Sequence, residues 1–108
     1  MQWQEVCEHP SLQNLPFKIE LNEKGQILMS PVKVYHSAFQ GKISQLLPKH
    51  GIVLAECAVK TAKGTKVADI AWCSEARFKK IAGETECSIA PEICIEVLSY
   101  ANSSNEMK

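Results

Sequence analysis

Asp69 and Glu96 each interrupt an apolar run, Val67-Ala68-Asp69-Ile70-Ala71-Trp72 and Ile93-Cys94-Ile95-Glu96-Val97-Leu98. Runs of this length and composition predict buried β-strands. An ionised carboxylate there costs several kcal/mol unless a metal, a partner charge or hydrogen bonds compensate it. Two such residues predict a shared site, and one divalent cation would satisfy both. They lie 27 positions apart, so they meet only if their strands are adjacent and both side chains share a face. The alternative for Asp69 is a strand carboxylate hydrogen-bonded to backbone or paired with lysine. For the pair together, it is structural ion pairing, for instance with Lys66 or Arg77, with no metal bound.

Other residues are placed around this pair by periodicity. Alternation puts Glu92, Cys94 and Glu96 on one side of the last strand, so Glu92 approaches the same site from about 13 Å away. His36 and Gln40 stand one helical turn apart and face a common cleft, with His36 as a phosphate contact or proton shuttle. A polar helix face accounts for both equally well. Lys60, Lys63 and Lys66 form a small basic cluster that would guide a phosphate backbone or simply solubilise a turn.

The elements that must position these groups follow from the pattern. A weak helix runs from Met1 to about Cys7 and ends near His9-Pro10. Phe17 to Leu21 and Gln26 to Ser30 flank Asn22-Glu23-Lys24-Gly25, a hairpin signal. Tyr35, Phe39, Ile43 and Leu46-Leu47 form one apolar helical stripe ending near Pro48. Ile52 to Val59 and Lys66 to Cys73 make a second hairpin around a polar turn containing Gly64, and Ser74 caps a short helix through Phe78. Ile93 to Leu98, apolar on both faces apart from Glu96, is predicted to be a central strand. Asn102-Ser103-Ser104 caps a last helix start. The order predicts a mixed α/β fold.

The chain of 108 residues balances 12 lysines and arginines against 12 aspartates and glutamates, which excludes a global basic field for nucleic acid. Five cysteines, an odd number without a CxxC pair, predict reduced thiols rather than a secreted disulfide framework or a zinc site. No basic leader region with an apolar run opens the chain, and no stretch reaches about 18 apolar residues. A soluble cytoplasmic protein with no membrane partner is expected.

Taken in order, Ile19-Glu20-Leu21, then Gly25-Gln26-Ile27-Leu28-Met29-Ser30-Pro31, Ala68-Asp69-Ile70-Ala71-Trp72 and Ala90-Pro91-Glu92-Ile93-Cys94-Ile95-Glu96-Val97-Leu98-Ser99 resemble the Uma-two family of bacterial restriction endonucleases. The resemblance spans nearly everything from Phe17 to Lys108. It implies a restriction-endonuclease-like PD-(D/E)xK core, a mixed β-sheet flanked by helices. Asp69 matches the aspartate of the proline-aspartate motif, with Ala68 in place of the proline. Glu96 matches the glutamate of the central strand, and Glu20 an upstream acidic position, although a solvated hairpin carboxylate near Lys18 is its ordinary reading. Tyr100 replaces a proline that commonly follows Val97-Leu98-Ser99.

The resemblance further implies a Mg²⁺-dependent endonuclease acting on DNA, with Mn²⁺ as a substitute ion and a homodimer as a further expectation. In that chemistry carboxylates hold an ion that polarises the phosphate and generates the attacking water. Asp69 and Glu96 are then the metal ligands, Glu20 an auxiliary group and His36 and Gln40 substrate contacts. Leu98 stands where the family motif would place lysine, so Lys108 is the terminal candidate for that role. Residues 1–108 are expected to form one nuclease-like domain, shortened at its C-terminus relative to family members that continue into a helix and further strands. The alternative is a catalytically inactive remnant of the fold acting as a nucleic-acid-binding or assembly module.

Overall fold

The computed structural model describes residues 1–97; Leu98, the predicted last helix and Lys108 lie outside them. The chain begins with helix α1 (Trp3–Glu8), where Glu5 accepts the Gln2 backbone N–H at 2.9 Å and so satisfies a donor the helix leaves open. Strands β1 (Phe17–Leu21) and β2 (Ile27–Pro31) form an antiparallel hairpin. Its turn is closed by the Asn22 carboxamide accepting from the Lys24 and Gln26 backbone N–H groups. Gly25 takes the left-handed backbone that this turn needs, at φ 75°. Alternation along β1 places Lys18 and Glu20 on the same face.

Helix α2 (Val34–Leu46) follows, then β3 (Ile52–Thr61), β4 (Gly64–Cys73), helix α3 (Glu75–Ile81) and β5 (Ile93–Ile95). The strands fall into two antiparallel sheets, β1-β2 and β3-β4-β5, and a parallel bridge joins Val59 and Cys87. The fold is mixed α+β. Both predicted hairpins form, the second with a tighter turn in which Thr61 Oγ1 donates to the Gly64 carbonyl at 2.7 Å. Ser74 caps α3 as expected, its hydroxyl accepting from the Arg77 N–H at 3.2 Å.

Two expectations are corrected. The central strand of the larger sheet is β4, not the Ile93 run. Ile70, Ala71 and Cys73 of β4 are completely enclosed because partners flank the strand on both sides. β5 is three residues long, leaves Cys94 exposed and ends just before Glu96. The second correction concerns α2, whose Tyr35-Phe39 stripe is exposed. His36, Gln40, Ile43 and Ser44 form its half-buried side instead. Polar groups turn inward there because His36 and Gln40 find hydrogen-bond partners on β4; Tyr35 and Phe39 pack edge-to-face on each other, centroids 6.2 Å apart.

The core beneath β3 and β4 gathers Cys57, Val59, Ala71, Cys73, Ile81 and Cys87. All five cysteines are free thiols, and Cys57 and Cys87 face each other at 3.4 Å. Burial, reinforced by the contact with Cys87, pushes the Cys57 thiol up to about 12, so it stays protonated and inert. No helix among the described residues is long and apolar enough to cross a membrane.

Gly64 joins the two sheets. Its φ is 104°, and a Cβ there would run into the Leu21 carbonyl oxygen and the Asn22 carbonyl group. Gly64→Ala is therefore expected to cost roughly 1–3 kcal/mol through backbone strain and a forced retreat of β1. A denaturation midpoint equal to that of the unaltered protein would show that β1 does not depend on this approach.

Candidate active site

β4 carries Asp69 into the interior, where it is 1% exposed. The β4–β5 register pairs Ile70 with Ile95, and one step further it brings Asp69 opposite Glu96. At that point the backbone ladder gives way to side chains: the Val97 N–H donates to Asp69 Oδ2 at 2.7 Å. On the other side of β4 the regular pairing skips Glu56, which holds a left-handed φ of 57°. The strand pairing is thus distorted at the level of Asp69, a kind of strain that recurs at functional sites.

The two carboxylates meet through a lysine. Lys18 reaches from β1 to place Nζ 3.0 Å from Asp69 Oδ1 and 3.1 Å from Glu96 Oε2. Its side chain is 12% exposed, whereas that of Glu96 is 51% exposed. α2 supplies two more contacts to Asp69. His36 Nε2 lies 3.2 Å from Oδ2, and the Gln40 carboxamide donates to the Asp69 carbonyl at 2.8 Å. An ionised carboxylate only accepts, so His36 carries its proton on Nε2. Its Nδ1 is buried and has no hydrogen-bond partner among the described residues.

The electrostatics follow from this geometry. Burial by itself would raise the Asp69 carboxyl, but the Val97 N–H and the Lys18 ammonium outweigh it and hold the group below the usual carboxylate range. Burial pulls Lys18 down, and its bonds to Asp69 and Glu96 reverse that, leaving the ammonium more firmly protonated than an ordinary lysine. Glu96 shifts upward. Partial burial and the nearby carboxylates of Asp69 and Glu20 outweigh the stabilisation from Lys18.

Of the residues marked from sequence, Asp69, Glu96, His36 and Gln40 converge here. Glu20 points along the same face but is engaged elsewhere: its Oε2 accepts the Val67 N–H at 2.6 Å, satisfying the edge of β4 before β5 begins. Glu92 does not approach the pair. It accepts from the Ser74 N–H at 3.1 Å and lies 3.8 Å from the Arg77 guanidinium. The lysine that pairs with both carboxylates is Lys18, not Lys66, and Arg77 turns to Glu92. His36 directs Nε2 at Asp69, so its ring helps to hold that carboxylate in place. Sequence reasoning passed over Lys18; the available signal was its alternation with Glu20 on the inner face of β1.

The donor set suits a hard cation, since two carboxylate oxygens already converge on one positive nitrogen. Among the described residues no group of three or more His, Cys, Asp or Glu side chains is placed to hold a metal. A pair of carboxylates is the number of protein ligands that a largely hydrated divalent ion would take. Lys18 Nζ lies between the two carboxylates.

A family model, Uma2, described as "Putative restriction endonuclease", matches residues 3–108. No curated protein matches the chain.

Proposed function

Since the chain belongs to the Uma2 family of restriction-endonuclease-like proteins, we propose that it hydrolyses DNA phosphodiester bonds at Asp69 and Glu96 with a magnesium-class ion. The observation that carries this reading is the convergence of Asp69 Oδ1 and Glu96 Oε2 on one cationic centre, at 3.0 and 3.1 Å from it. When bound, such an ion supplies positive charge that polarises a phosphate and makes its own water more acidic.

The chain's own residues divide the remaining work. Asp69 is the fixed ligand, held at both oxygens by Lys18, His36 and the Val97 N–H. Gln40 anchors its backbone carbonyl. Glu96 is half in solvent and free to turn toward an incoming ion. His36 positions Asp69 through Nε2.

Cleavage of plasmid DNA is expected in the presence of Mg²⁺ or Mn²⁺, to stop on chelation, and to fall by about 100-fold or more in Asp69→Asn. Cleavage that survives in Asp69→Asn would remove this site from the chemistry. A second reading, a nuclease-fold module that binds without cleaving, is favoured by one observation: the Lys18 ammonium pairs with both carboxylates. DNA binding with no cleavage in either ion would select it.

A further inference from the structure

Lys18 does what a metal ion would do, yet it is tethered to the chain. Its Nζ bridges Asp69 and Glu96, so an ion seated between the same two oxygens would take the place the ammonium holds. We propose that Lys18 is an exchangeable internal cation: it holds the two carboxylates together in the metal-free protein and gives up that place when a divalent ion binds. The inference rests on the metal-site reading above and adds to it an occupant that must leave.

Three features make the exchange physically reasonable. Lys18 comes from the β1-β2 hairpin, a sheet separate from the one that carries Asp69, and its four-carbon stem has freely rotating bonds. It also lines a cleft of about 250 Å³ together with Phe17, Glu56, Ala58 and Val67. Glu20, on the same face of β1, interacts electrostatically with both Lys18 and Glu96. With Glu20 on the Val67 N–H, two carboxylates against one ammonium still leave the site net negative and repelling to a phosphodiester. A divalent ion cancels that excess while Lys18 stays nearby, so admission of the nucleic acid backbone is coupled to the exchange.

The consequence is the reverse of what an ordinary site residue predicts. Removing Lys18 should tighten metal binding, because the ion no longer displaces two charge-assisted hydrogen bonds. Calorimetric titration with Mn²⁺ alone is expected to give at least about tenfold higher affinity for Lys18→Met than for the unaltered chain. The double variant Lys18→Met/Asp69→Asn should lose that gain, which locates it at this site. Binding seen in Lys18→Met but not in the unaltered chain also supports the exchange. Equal or weaker binding in Lys18→Met overturns it, as does the absence of binding in both proteins. Should Lys18→Met not fold, Lys18→Gln removes the charge while keeping a donor and carries the same expectation. Failure of the nuclease reading registers separately, as an unaltered chain that binds Mn²⁺ but cleaves no DNA.

Discussion

Asp69→Ala is expected to lower folding stability by about 3–5 kcal/mol, the largest effect of any single substitution at this site. The loss does not come from the carboxylate's own packing. It comes from what is left behind: the Lys18 ammonium, mostly buried, the His36 Nε2–H and the Val97 N–H all lose their acceptor on Asp69. Each buried donor without a partner is penalised by its full desolvation. Against a typical stability of 5–15 kcal/mol, such a loss brings the chain close to unfolding. Chemical denaturation measures it directly. A double-mutant cycle with Lys18→Met should return a coupling of about 1–3 kcal/mol, since removing both charges together is less harmful than removing one. Additive losses would mean that the two groups do not act as a pair.

Glu96→Gln should separate function from folding. Its carboxylate is 51% exposed, and a half-solvated ion pair with Lys18 is worth no more than about 1 kcal/mol. Stability is therefore expected to stay within about 1 kcal/mol of the unaltered protein. Mn²⁺ binding and Mg²⁺-dependent cleavage should nevertheless fall by about 100-fold or more, because the site has few other carboxylates to offer an ion. Partial burial and the neighbouring carboxylates of Asp69 and Glu20 hold Glu96 above its usual range. A folded Glu96→Gln protein with full metal affinity would move the ligand role to another residue.

These two aspartate and glutamate effects differ although the residues looked alike in the sequence. Each is one acidic residue in an apolar run, and the pattern correctly brings both to one place. It cannot report that β4 is enclosed on both sides while β5 stops at Ile95. Burial of a strand depends on what pairs beside it, and the pairing partner is remote in the chain. The same reasoning explains α2. Its apolar spacing is real, but the inward side was decided by hydrogen bonds from His36 and Gln40 to Asp69.

The sequence by itself determined the local structure, because strand alternation, turn residues and the Ser74 cap act over a few neighbouring positions. It also determined that Asp69 and Glu96 needed a compensating partner, since apolar surroundings make an isolated charge too costly to leave alone. Only the tertiary structure decided what that partner is. Lys18 lies 51 positions from Asp69 and 78 from Glu96, and its own neighbourhood marks it only by its alternation with Glu20 along β1. Charge compensation acts through space at about 3 Å, whereas sequence patterns report only what lies nearby along the chain. The docking of β1 against β4, with Gly64 permitting the close approach, turned an ordinary lysine into the cation at the centre of the site.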